Sequence, residues 1–111
     1  MAVSEHETGS QTATLDTEHT LNTTSPETTD GAFQLVVDVA LLVNDETLTL
    51  KIKEKARSGD TQRLLWSATY KHIQARPLVA SPPIILLHGW DMTLEQNGGT
   101  GRAFPWSIRK A

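Results

Sequence analysis

The stretch Thr47-Leu48-Thr49-Leu50-Lys51-Ile52-Lys53-Glu54-Lys55-Ala56-Arg57 decides the fold class. Leu48, Leu50 and Ile52 fall on every second position, and Thr49, Lys51, Lys53, Lys55 and Arg57 fall on the alternate set. A period of two is the pattern of a half-buried strand in an antiparallel sheet. Wound into a helix, the same residues would scatter around the axis and leave no apolar stripe. Ser58-Gly59-Asp60 follows as a tight hairpin signal. The returning strand over 61–73 places Leu64, Trp66, Ala68 and Tyr70 on one face, with Arg63, Ser67, Thr69 and Lys71 on the other.

Outward from this hairpin the pattern repeats. A strand over 32–43 carries Phe33, Leu35, Val37, Val39 and Leu41 on one face, and Asn44-Asp45 supplies the next turn. Residues 78–87 form an extended run broken by Ser81-Pro82-Pro83, since consecutive prolines donate no ladder hydrogen bonds and mark a bulge, bend or edge. Residues 90–96 alternate again, with Met92 and Leu94 opposite Asp91, Thr93 and Glu95. A hairpin loop, Asn97-Gly98-Gly99-Thr100-Gly101, leads to a last strand over 102–110 that buries Phe104, Trp106 and Ile108. No segment has a helical period. Turn signals every 8–15 residues predict an all-β fold: an antiparallel two-sheet β-sandwich, jelly-roll-like, with an extended polar N-terminal arm.

The arm is read from charge. Glu5, Glu7, Asp16, Glu18, Glu27 and Asp30 stand in the first 31 residues without a single Lys or Arg, although the whole chain of 111 residues has 10 Lys and Arg against 13 Asp and Glu. A segment this acidic and Thr-rich buries too little apolar surface to offset its own ordering entropy, so it should lie on something. Its own basic body, a neighbouring copy or another protein would each serve. Thr also favours strands, so 12–24 could open the fold itself. Residues 1–13 are therefore read as the arm and 14–111 as the sandwich.

Composition excludes several classes. With no cysteine there is no disulfide framework and no thiolate chemistry. No apolar run approaches the ~18 residues of a membrane helix, and the N-terminus lacks the basic start and apolar core of a signal peptide. A soluble protein with no membrane partner is expected. Asn22-Thr23-Thr24 matches a glycosylation sequon by chance.

Three motifs invite chemistry and fail. Ile84-Ile85-Leu86-Leu87-His88-Gly89 resembles an oxyanion-hole strand, but the chain has no G-x-S-x-G elbow and no later histidine. Gly98-Gly99-Thr100-Gly101-Arg102 lacks the lysine of a phosphate-binding loop and joins two strands. His6, His19, His72 and His88 share no metal-ligand spacing, and His72 is expected as a half-buried imidazole near a strand end. The expectation is a protein that is not an enzyme, with no catalytic residues, metal or cofactor.

What remains is a basic stripe. Lys51, Lys53, Lys55 and Arg57 lie on one strand face, and Arg63 and Lys71 extend it across the hairpin. Such a stripe fits an acidic protein surface, or serves as a solvated face that discourages edge aggregation. Nucleic acid is not the expected partner, because stacking aromatics should interleave with the bases, and Trp66 and Tyr70 fall on the opposite face.

Four longer strings carry a resemblance: Gly31-Ala32-Phe33-Gln34-Leu35; Glu54-Lys55-Ala56-Arg57-Ser58-Gly59-Asp60-Thr61-Gln62-Arg63; Gly89-Trp90-Asp91-Met92-Thr93-Leu94-Glu95-Gln96; and Gly99-Thr100-Gly101-Arg102-Ala103-Phe104-Pro105-Trp106-Ser107-Ile108-Arg109. Over residues 14–110 the chain resembles a family of small tailed-bacteriophage virion structural proteins of the decoration or accessory type. The resemblance implies a multi-copy β-sandwich without catalysis, located in the virion and made in the bacterial host cytoplasm. It implies as partners the major capsid protein or other virion proteins, and copies of the chain itself in a homo-oligomer; a trimer would suit lattice three-folds. It adds Arg102 and Arg109 to Lys51, Lys53, Lys55, Arg57 and Arg63 as partner-interface residues. The expected function is a capsid decoration (cement) protein that bridges neighbouring head subunits. The alternatives are a neck, tail or baseplate component, or a β-sandwich glycan-binding module using Trp66, Trp90 or Trp106.

Overall fold

The computed structural model describes residues 2–111, and Met1 of the expected arm lies outside them. The strands are β1 (Ser4–Thr12), β2 (His19–Thr20), β3 (Gly31–Asp38), β4 (Thr47–Glu54), β5 (Arg63–Lys71), β6 (Leu78–Ala80), β7 (Ile84–Leu86), β8 (Asp91–Asn97) and β9 (Ala103–Lys110), with no helix among the described residues. One sheet runs β1-β9-β3-β6, with β7 also on β3; the other runs β2-β8-β4-β5. Every pairing is antiparallel. The fold is the two-sheet β-sandwich that the alternation predicts.

The core lies between the sheets. Leu48, Leu50 and Ile52 of β4 and Met92 and Leu94 of β8 meet Phe33, Leu35 and Val37 of β3 and Phe104 and Ile108 of β9, all nearly or fully removed from water. Trp90 fills the end of this layer; its ring lies 4.6 Å from that of Phe33, and its indole N–H donates to the Thr29 carbonyl at 2.9 Å. Burying a large apolar side chain contributes ~1.5–3 kcal/mol, so this interleaved set is the main source of stability.

The break at Ser81-Pro82-Pro83 splits the expected strand 78–87 into β6 and β7, which pair with opposite ends of β3. Ser81 donates its N–H to the Leu35 carbonyl at 2.8 Å there, and its hydroxyl oxygen accepts the Leu35 N–H at 3.0 Å.

Several boundaries differ from the sequence reading. The strand expected over 32–43 ends at Asp38, whose carboxylate accepts the Ala40 N–H at 2.9 Å and starts a turn. Leu41 is consequently exposed, while Val39 and Leu42 still reach the core. In β5 the register against β4 shifts between Ile52 and Lys53, so Leu65 is an extra residue. Directly opposed residues of an antiparallel pair share a face; Trp66, Ala68 and Tyr70 stay inward with Ile52, Leu50 and Leu48, but Leu64 now opposes Lys53 and is 55% exposed. The loop 97–101 is not a hairpin. It crosses from β8 in one sheet to β9 in the other. His72 lies past the end of β5, exposed at φ 65°, where its Nδ1 accepts the Asp45 N–H.

Of the supports open to the acidic arm, the structure has its own body: Ser4–Thr12 forms β1 and pairs along β9 from Lys110 to Ala103. The Trp106 ring lies across Gly9, where an added β-carbon would stand 3.0 Å from it. The second acidic stretch is tied to β8 through Leu21 and Asn22, and to Trp90 just before it through Glu27.

Candidate functional interface

The seven basic residues singled out in the sequence occupy four places. Lys51 and Lys53 project from the outer face of β4 between Ser67 or Leu64 on one side and Thr93 or Asp91 on the other. Lys53 pairs with Glu18 at 2.8 Å, and Thr93 donates to the same carboxylate at 2.6 Å. Burial alone would raise the Glu18 pKa, but the hydrogen bonds from Lys53 and Thr93, with the charges of Lys53 and Lys51, hold it below the ordinary value. Lys51 faces the same carboxylate more distantly.

Lys55, Arg57 and Arg63 gather at the hairpin between β4 and β5. Arg57 makes a two-pronged contact with Asp60 at 2.9 and 3.1 Å, which raises its pKa further, and remains largely in solvent. The stem of Lys55 packs over Gly89, whose φ of 40° favours glycine and where an added β-carbon would stand 3.0 Å from the lysine stem. Glu54 opposes Arg63 on β5, and its carboxylate accepts the N–H groups of Leu87 and His88 at 2.6 and 3.0 Å. That contact brings exposed Leu87 to the end of the sandwich where Leu64 and Leu65 are also exposed. A cleft of about 580 Å³ opens here, walled by the hairpin and by Arg63, Leu64 and Leu65. Both of its carboxylates are engaged, Glu54 by backbone donors and Asp60 by Arg57, and its lining sets exposed Leu64 and Leu65 beside Lys55, Arg57 and Arg63. β5 is also the free edge of its sheet.

Arg102 and Arg109 lie elsewhere. Arg102 clamps the fully buried Glu46, with Nε at 3.1 Å from both oxygens and Nη2 at 2.9 Å from one. Glu46 also accepts the N–H groups of Val43 and Thr100. The hydrogen bonds from Arg102 are the largest influence on its carboxyl and, with those two N–H groups, hold its pKa low against burial. Arg109 is exposed on β9 in the other sheet, beside a small apolar cleft of about 210 Å³ that includes Val3, Ala32 and Pro83. Of the stripe, Lys51 and Lys53 stand on the β4 face and Lys55, Arg57 and Arg63 gather at the hairpin, where the cationic cluster coincides with exposed apolar surface. The two further candidates, Arg102 and Arg109, lie apart from it.

Sequence reasoning missed Leu64, Leu65 and Leu87 as surface residues. A bulge position and a strand end are invisible to a simple period of two. It also left unexplained why the polar motif residues stand where they do. Gln62 donates to the Gly89 carbonyl and to Asp91, joining the hairpin string to the string that begins at Gly89. Gln96 donates to the carbonyls of Gly98 and Thr100 and accepts the Arg102 N–H, joining that string to the last one.

No family model, curated protein or solved structure matches the chain.

Proposed function

We propose that the chain is a structural protein of a tailed-phage virion, a capsid decoration (cement) protein that binds the head as a homo-oligomer and bridges neighbouring subunits without catalysis. The observation that carries the reading is the hairpin end of the sandwich. There, exposed Leu64 and Leu65 line one cleft with Lys55, Arg57 and Arg63 at the free β5 edge. Exposed apolar surface rimmed by polar groups marks contact sites, and a free edge can accept a partner strand. The cationic cluster fits an acidic face of a capsid protein or of a second copy. The resemblance to small virion proteins supports the same reading, and a neck, tail or baseplate protein would use this surface in the same way. The glycan alternative is weaker, since Trp90 is fully buried and Trp66 and Trp106 lean on the core instead of presenting a free ring face.

Co-sedimentation with purified expanded heads of the encoding phage tests the proposal. The unaltered chain is expected to co-sediment, and the double variant Leu64→Asp/Leu65→Asp to lose at least tenfold in affinity. Arg109→Glu on the opposite sheet should bind normally. Full binding by the double variant would refute the interface.

A further inference from the structure

We infer that His6, Glu7 and Glu27 form a binding site for a divalent transition-metal ion such as Zn²⁺, which fastens the N-terminal strand to the core. The bulge in β1 between Glu5 and Glu7 inserts His6 as an extra residue in the pairing with β9. Consecutive side chains, which alternate in a regular strand, are here both turned toward the 21–30 segment: His6 reaches Glu27, and Glu7 reaches Thr23. Glu27 arrives from 21 residues away because its N–H and carbonyl exchange 2.9 Å bonds with Trp90. One ligand atom from each of the three residues lies within 4.8 Å of the others.

Three features favour a cation here. The Glu27 side chain is only 9% exposed, and its charge has no Lys or Arg partner among the described residues, nor has that of Glu7. Buried carboxylates are ordinarily paired with a cation or bound to a metal. The imidazole is also held in place: its ring meets Phe33 edge-on at 5.3 Å and lies 6.0 Å from Trp90, with Nε2 directed at Glu27. Finally, Nε2 and Glu27 Oε1 are 3.2 Å apart, close to the ~3.3 Å edge of a tetrahedron with zinc bonds of ~2.0–2.1 Å. Glu7, which accepts from the Thr23 N–H and hydroxyl at its edge, needs only a side-chain rotation to complete a nitrogen-and-two-carboxylate set. The two carboxylates would neutralise the ion. This site does not depend on the proposed role in a virion.

The test uses the full chain without a histidine tag, stripped with chelator and titrated with ZnCl₂ by calorimetry. One saturable site is expected, with micromolar or tighter affinity. At a hundredfold excess over Kd, a ligand of the native state alone should raise the melting temperature by roughly 10 °C. Glu27→Gln, which keeps the shape and an oxygen for the Thr29 hydroxyl that now donates to Glu27 at 3.0 Å, and Glu7→Gln at the rim should each weaken binding at least tenfold. Because Glu27→Gln can also disturb folding, Co²⁺ binding to the unaltered chain supplies a second readout. The paramagnetic ion should broaden the indole N–H resonance of Trp90 and leave that of Trp66 sharp. The absence of saturable binding, equal affinity in both variants, or unselective broadening would overturn the site.

Discussion

Asn22→Ala should be among the most damaging single changes outside the apolar core. The Asn22 side chain is buried, and its amide donates to Asp91 Oδ1 at 2.8 Å and to the Thr24 carbonyl at 2.7 Å, while its oxygen accepts the Met92 N–H at 2.9 Å. Truncation leaves the Met92 N–H without that acceptor beside a fully buried residue, and an unsatisfied buried donor costs ~1–3 kcal/mol. It also removes a donor from the buried Asp91 carboxylate, a hydrogen bond to a charged group worth about 1.5–3 kcal/mol. The Thr24 carbonyl lies at the surface, where water replaces the lost bond. Together these give a loss of about 3 kcal/mol, or roughly 12 °C or more in melting temperature for a domain this small. Urea denaturation followed by circular dichroism measures it as a lower midpoint with an unchanged slope. Asn22→Asp, which keeps the acceptor but sets a second carboxylate against Asp91, should lose at least as much at neutral pH. A loss below ~1 kcal/mol in Asn22→Ala would refute the claim that this side chain fastens the acidic segment to β8.

Further changes separate tight positions from open ones. Gly101→Ala should destabilise by ~1–3 kcal/mol, since its β-carbon would overlap the Ala13 carbonyl. Gly59→Ala, with nothing near it, should stay within about 0.5 kcal/mol in the same melt. The Glu46 and Glu18 carboxyls have folded pKa values below the ordinary 4.5. Their stabilisation is therefore present above that value and lost as pH falls below it. A melting curve taken down that range should show a steady decline, and Glu46→Gln should make the decline shallower.

The core hairpin was legible because its signal is local. In β4 the apolar residues alternate without interruption and are all buried, and Ser81-Pro82-Pro83 forces a break whatever surrounds it. The hairpin bulge was not legible: whether Leu65 is extra depends on the register against β4, which no period within β5 encodes. The crossing at 97–101 was hidden for a related reason. Three glycines announce a turn, but the crossing to the other sheet is held in part by Glu46, which reaches Thr100 and Arg102 from more than fifty residues away. The alternation within β4 set Lys51 and Lys53 on its outer face, whereas the engagement of Arg102 by Glu46 and the place of Arg109 in the other sheet depend on contacts that no local period encodes. The cluster of His6, Glu7 and Glu27 lay beyond any spacing rule, as Trp90 carries Glu27 to it.

The account turns on whether the hairpin end of the sandwich is a docking surface for a phage head. Saturation binding of the chain to purified expanded heads, with bound copies counted by quantitative gel densitometry, addresses this most directly. The account predicts a plateau at one copy, or one oligomer, per repeating lattice position, and its loss in the Leu64→Asp/Leu65→Asp variant. A chain that stays monomeric in light scattering and leaves heads bare at every concentration would contradict it.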